Sequence, residues 1–297
     1  MSATKPPPIP WRVENFAVDG MLTMLAGREG QGKSMLGLGL AAGVAHGRTV
    51  AGLRCERGTV LVVDAENGEH EAHRRLHGLQ VPSGALEYHL AEGFDLARDL
   101  AHFEALLTRF RPRFAVLDGM RSLWPAGDEN DSGACESALG PLRGLLRGRN
   151  VAGLLLHHEG KGAGGFRGST AIGAAVELGF RLGRVEGDPE AQTRRELRCW
   201  KCRPAPEPEV RWIALQATDE GPRVVQAAAG PTGTPTLKES LADEIAVVLA
   251  EADGPMQRKD IAATVGRDPK DSTVGEALKL LEATKRATQG EDKRWSA

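Results

Sequence analysis

The chain has 297 residues, 41% of them hydrophobic and 26% charged, and 38 Lys and Arg nearly balance 40 Asp and Glu for a net charge of −2. That balance excludes a globally basic, histone-like nucleic-acid binder, and the length suits one large domain or a large one with a small companion. Four scattered cysteines make no disulfide framework. No apolar run approaches the about 20 residues that a membrane helix needs, and the first residues carry no signal core, so a cytoplasmic protein without a membrane partner is expected.

In chain order, residues 1–10 are Pro-rich and read as an extended arm. From 11 to 228, short apolar runs alternate with helical patterns. "MLTMLAG", "GTVLVVDAE", "RFAVLDGM" and "VAGLLLHHE" read as strands apolar on both faces, as in a buried parallel sheet. Between them "KSMLGLGLAAGVAHG", "EHEAHRRLHGL", "ARDLAHFEALLTRF" and "CESALGPLRGLLRG" carry helical spacing. Strands alternating with helices predict an α/β fold with right-handed crossovers. "ELRCWKCRP", "EVRWIALQA" and "GPRVVQAAA" read as antiparallel additions to that sheet. Residues 229–236 have the composition of a linker, and 237–297 predict a long helix, a short helix, a third helix opening at an Asp/Ser cap, and a small hairpin. That order fits a winged helix-turn-helix domain.

The first chemistry-bearing motif is "GREGQGKS": Gly27, Arg28, Glu29, Gly30, Gln31, Gly32, Lys33 and Ser34, with Met35 following. Its glycines let backbone N–H groups close around phosphate oxygens at the positive end of a helix. Lys33 would reach the β- and γ-phosphates of ATP and Ser34 would ligate Mg²⁺. Asp118 ends the apolar strand "RFAVLD", at the edge where parallel sheets bind ligands, and is the candidate second contact to Mg²⁺, through water. Gly119 follows Asp118, where many such ATPases carry a Glu, so the water-activating carboxylate is sought on "VLVVDAEN". There Glu66, nearer the tip than Asp64, is the expected general base. "LLLHHEGKGAGGFRGST" then ends a strand in His157 and His158, either of which can sense a γ-phosphate. The Gly-rich loop after them, flanked by Lys161 and Arg167, suits a grip on a phosphate backbone.

Together, "GREGQGKS", "VLVVDAEN", "FAVLDGM" and "LLLHHEGKGAGGFRGSTAI" resemble the RecA-like ATPases of the plasmid RepA hexameric helicase type, with DnaB-type helicases as broader relatives. The resemblance covers about residues 11–228. It implies a RecA-type core, a homo-oligomeric ring with ATP between subunits, and action on single-stranded DNA. By the same resemblance Glu66 matches the catalytic glutamate, and Lys201 and Arg203 of "KCR" match a K-x-R pair that reaches the neighbouring subunit's ATP. A filament-forming recombination ATPase and an ATP-switched DNA-binding regulator are the alternatives.

The CxxC formed by Cys199 and Cys202 lies in a strand, and Cys55 and Cys135 are isolated, so neither zinc nor thiol exchange is expected there. Strand alternation predicts the two thiols on opposite faces. In the C-terminal segment, Ser272, Thr273, Lys279 and Lys285 of the third helix and Arg286, Lys293 and Arg294 of the hairpin are candidate contacts to duplex DNA. The acidic residues there are as numerous as the basic ones, which leaves a partner protein as the other candidate.

Overall fold

The computed structural model describes residues 7–124, 131–158, 173, 175–185, 187–216, 218, 223–230, 237–252, 254–269, 271–284, 286–290 and 292–296. The chain divides into two compact units, Met1–Pro231 and Thr232–Ala297.

In the first unit, β1 (Trp11–Val13) and β2 (Ala17–Val18) form a small antiparallel ribbon. The chain then enters β3 (Leu22–Gly27), α1 (Lys33–His46), β4 (Val60–Asp64), α2 (Glu69–His77), β5 (Leu86–Leu90), α3 (Leu100–Phe110), β6 (Phe114–Asp118), the short α4 (Met120–Leu123), α5 (Ser132–Arg149) and β7 (Ala152–His158). Four further strands follow: β8 (Leu178–Gly183), β9 (Arg194–Cys202), β10 (Arg211–Gln216) and β11 (Arg223–Gln226). One nine-stranded sheet results, in the order β11-β10-β9-β8-β3-β7-β6-β4-β5. The six strands from β8 to β5 in that order are parallel, and β9, β10 and β11 add antiparallel.

Because β3, β4, β6 and β7 are apolar at nearly every position, they are buried on both faces, as the sequence reading expects. Period-2 alternation divides their side chains between two cores. Leu25, Val60, Val62, Val116, Leu154 and Leu156 pack with α1 on one face. Met24, Leu61, Val63, Leu117 and Leu155 pack with Phe103 of α3 and Leu139, Leu142 and Leu146 of α5 on the other. The product is a three-layer α/β/α arrangement with the parallel carboxyl ends along one edge.

Two strands of the nine-stranded sheet escape sequence reading. The edge strand β5, "LEYHL", is half polar, and β8, "LGFRLG", is short and broken by glycine and Arg181. A second departure lies in β9. The register against β8 shifts between Gly179 and Phe180, a bulge at Trp200. The bulge resets the alternation. Cys199 and Cys202 therefore pack against the same core and Trp200 against the opposite one, which corrects the expected placement of the thiols on opposite faces. Both cysteines are free, and burial raises both thiol pKa values, Cys199 to about 12. Neither is the thiolate that metal or redox chemistry needs.

The second unit comprises α6 (Leu237–Glu251), β12 (Met256–Gln257), α7 (Arg258–Thr264), α8 (Ser272–Ala283), β13 (Thr288–Gln289) and β14 (Arg294–Ser296). Its strands pair antiparallel in the order β12-β14-β13. Asp271 caps α8 by accepting from the Thr273 N–H at 2.8 Å. Leu241, Ile245, Ile261, Leu278, Leu281 and Trp295 form a core of its own.

Candidate nucleotide site

Alternation along the parallel strands sets the site. On β4, β6 and β7 the residues in phase with the α1-facing core end in Asp64, Asp118 and His158. All three therefore stand on the face that carries α1, at the carboxyl edge, beside the loop that leads from β3 into α1. In that loop Gly30 and Gly32 adopt φ +71° and +93°, values that favour glycine. Position 32 is closed to a side chain for a second reason: a Cβ there would come within 2.3 Å of Leu215 Cδ1. Gly32 caps α1 without any side-chain acceptor for the first-turn N–H groups. Those donors and the helix dipole suit an anionic ligand, so the loop fits a nucleotide's phosphates.

Lys33 is buried, and its Nζ donates to the carbonyls of Gly27 at 2.9 Å and Arg28 at 3.1 Å. It also lies 3.2 Å from His158 Nδ1, while His158 Nε2 lies 3.1 Å from Glu66 Oε2. One imidazole thus bridges the loop lysine and the candidate general base. His157 is 2% exposed and sits on the opposite face of β7, in register with Ala26. Its Nδ1 has no hydrogen-bond partner among the described residues, and burial, reinforced by His158 and Lys33, lowers its pKa to about 4. Of the two histidines, the structure brings His158 to the loop and His157 away from it.

Glu66 stands two residues beyond the end of β4. Asp64 holds the turn beneath it: Asp64 Oδ1 accepts from the N–H groups of Glu66 and Asn67, both at 2.9 Å. Asn67 Nδ2 and the Tyr88 hydroxyl donate to the same carboxylate. With its lone pairs taken, Asp64 braces the turn, a role the sequence reading did not assign to it. Gly119, at φ +92°, lies directly under the Glu66 side chain. A Cβ at 119 would meet Glu66 Cγ at 2.3 Å. The glycine after Asp118 is what leaves room for a carboxylate arriving from β4.

Asp118 is 4% exposed and hydrogen-bonds with the Ser34 side chain. Burial, with Asp64 and Glu66 nearby, pushes its pKa up to about 6 against the opposing Ser34 bond. No group of three or more His, Cys, Asp or Glu among the described residues is arranged to hold a metal by itself.

Lys201 and Arg203 lie elsewhere. Cys202 pairs with Leu178, and Leu178 with Thr23 at the start of β3, so both cations sit at the amino edge of the sheet, opposite their own phosphate loop. Lys201 Nζ donates to the Gly173 carbonyl, and Arg203 is exposed with its backbone N–H bonded to Glu177 O at 3.1 Å. Glu177 is buried, accepting from Leu22 N at 3.0 Å and Arg143 Nε at 3.1 Å, which fixes the strand ends under these cations.

The loop residues Lys161 and Arg167, the "RGST" segment and Lys285 lie outside the described residues. In the second unit Lys279 is exposed on α8 between Glu276 and Glu282, Lys293 lies in the β13–β14 turn, and Arg294 opens β14, 3.5 Å from Asp292. Residues 232–297 hold ten Lys and Arg against twelve Asp and Glu. No described helix is long and apolar enough to cross a membrane.

Comparison with known proteins accords with this geometry. The family model described as AAA domain matches residues 2–164, more than half of the chain. Among solved structures, a KaiC-like protein from the hyperthermophilic archaeon Pyrococcus horikoshii OT3 superposes with a TM-score of 0.53 at 16% identity. The match covers 72% of this chain and 93% of the other and shows a shared RecA-like fold.

Proposed function

The chain belongs to the AAA domain family of P-loop ATPases, and from that premise we propose that it is a RecA-type DNA motor, a ring-forming replicative helicase of a plasmid, phage or mobile element. The observation that carries this reading is the separation of Lys201 and Arg203 from their own phosphate loop. A K-x-R pair at the far edge of the sheet serves an ATP site only when a second copy is docked head to tail. Such a heterologous contact, repeated with a rotation that closes, makes a ring.

Within the site, the N–H groups of residues 30–34 hold the phosphates, and Lys33 exchanges the Gly27 and Arg28 carbonyls for phosphate oxygens. Ser34 and Asp118 are the residues that would hold Mg²⁺, which when bound neutralises charge on the phosphoryl group. Glu66 orients the attacking water and accepts its proton. His158 touches both Glu66 and Lys33, so phosphate arriving between them reorders that contact and passes the change to the loop beginning at residue 159. Lys161 and Arg167 of that loop contact single-stranded DNA. The neighbour's Arg203, with Lys201, stabilises the charge of the transferring phosphoryl group.

The second unit reads as a winged helix. Its acidic balance, and the alternation of Glu276, Lys279 and Glu282 on α8, favour a partner protein over duplex DNA.

A forked DNA substrate tests the assignment. Wild-type protein is expected to hydrolyse ATP faster with single-stranded DNA and to separate the fork, and Lys33→Ala to lose both activities. Strand pairing without unwinding would support the recombination ATPase, and sequence-specific duplex binding with slow turnover the regulator.

A further inference from the structure

The phosphate loop is held from a side that its motif does not include. Gln31 is the residue just before Gly32, and both of its oxygens are taken by the strands beyond β3. Arg184 N donates to Gln31 Oε1 at 3.0 Å, and Arg195 Nε donates to the Gln31 backbone carbonyl at 3.1 Å. Leu215 of β10 packs under Gly32. Arg195 is 2% exposed, yet among the described residues its guanidinium meets no carboxylate. Its other bonds run to the carbonyls of Ala191 at 2.8 Å, Gln192 at 3.3 Å and Arg194 at 2.7 Å. The turn that presents those carbonyls is itself fixed by the buried pair of Arg194 with Asp188, 2.5 Å apart at the closest atoms.

A buried guanidinium is ordinarily paired with an acid, because an uncompensated charge in the interior is costly. Here, among the described residues, carbonyl dipoles alone compensate it, and the charge remains formal and positive beside a loop that fits phosphate. The bond to Gln31 O has a geometric effect as well. A peptide has its carbonyl and its N–H on opposite sides, so fixing the Gln31 carbonyl toward β9 turns the Gly32 N–H away from β9 and toward the phosphate side.

We infer that Arg195 is a positioning residue for the nucleotide: through the Gln31 carbonyl it pre-sets the second half of the phosphate loop and adds an unneutralised positive charge behind it. The inference rests on residues 27–34 being an ATP site. It extends that site to β9 and to the turn at 188–194, outside the segment matched by the family model. Arg195 acts on the bound phosphates through the loop, so its effect falls on affinity for ADP and ATP alike rather than on the chemical step.

The test uses the full-length chain, with ADP and a non-hydrolysable ATP analogue titrated by calorimetry and steady-state hydrolysis measured alongside. Arg195→Met is expected to weaken both ligands in parallel by about tenfold or more. kcat/KM should fall with the affinity, and kcat by a smaller factor. Arg195→Lys keeps the charge and one donor and is expected to recover part of the lost affinity. Amide exchange of Gln31–Lys33 in the nucleotide-free protein should quicken in the order wild type, Lys, Met. If Arg195→Met does not fold, the Lys variant and its exchange rates decide. ADP affinity at the wild-type level in whichever variant folds overturns the inference, as does a fall in kcat with KM unchanged. Lys33→Ala separates this outcome from a failure of the ATP-site reading: that reading fails if Lys33→Ala binds ADP and ATP as tightly as wild type, whatever Arg195 does.

Discussion

The two ends of β9 carry four cations in opposite circumstances. At its first end Arg194 and Arg195 are 6% and 2% exposed, every nitrogen that bonds is held by a carboxylate or carbonyl, and the phosphate loop of the same chain leans on them. At its last end Lys201 is half-buried against a backbone carbonyl and Arg203 is exposed just past the strand. The contrast fits the separate roles proposed for the two ends. A cation that shapes its own chain's site is best enclosed, because enclosure removes its freedom. A cation proposed to serve a neighbour has to stay reachable, and the antiparallel return of β9 carries Arg203 to the edge of the sheet opposite its own phosphate loop.

The strongest way to break this contrast is Arg203→Ala. Hydrolysis should fall by about a thousandfold or more, in line with other cations supplied in trans, while ATP binding persists. Mixing Arg203→Ala with Lys33→Ala protein should restore part of the lost ATPase, because a site can then form with an intact loop from one subunit and an intact Arg203 from the other. A mixture as inactive as its components would mean that the two ends do not serve two subunits.

A smaller effect sharpens the comparison at the loop end. Gly119→Ala drives a methyl group into Glu66 Cγ and strains a backbone at φ +92°. It should lower kcat on the order of a hundredfold with nucleotide affinity retained, matching Glu66→Gln; hydrolysis at the wild-type rate would remove Glu66 from its role.

The smallest effect is on stability. Asp118 in the folded chain has its pKa pushed up to about 6, above the ordinary 3.8, chiefly by burial. The folded protein therefore holds this proton more tightly than the unfolded chain does. The stabilisation is fully present below pH 3.8 and is lost as pH rises through 6, by on the order of 3 kcal/mol. Asp118→Asn lacks that slope. It should melt higher than wild type at pH 7.5 without nucleotide, with the gap closing toward pH 4, and it should not hydrolyse ATP. A constant gap across that pH range would show that Asp118 does not carry the charge cost.

Much of this was legible in the sequence because backbone demands leave composition behind. A loop that cradles phosphate needs glycine at 30 and 32, and a strand buried on both faces needs the apolar runs of β3, β4, β6 and β7. Three features left no such trace. The bulge at Trp200 depends on how β9 registers against β8, which itself is too short and glycine-broken to stand out. The difference between His157 and His158 depends on which face of β7 receives α1, a matter of pairing rather than of the residues. Arg195 is one arginine among many until the fold surrounds it with carbonyls. Asp64 was legible as a carboxylate near the site, but its part as the brace of the Glu66 turn emerged only with Tyr88 and Asn67 beside it.

The glycine after Asp118 also constrains how this site can change. The space that a residue at 119 would need is the space that Glu66 occupies. With Glu66 as the proposed base, the base cannot be moved from the tip of β4 to the position following Asp118 by one substitution: adding a carboxylate at 119 displaces Glu66, and removing Glu66 first leaves the site without that base. The two placements of the carboxylate are separate solutions, joined only by a double replacement through an inactive form, and this chain is committed to one of them.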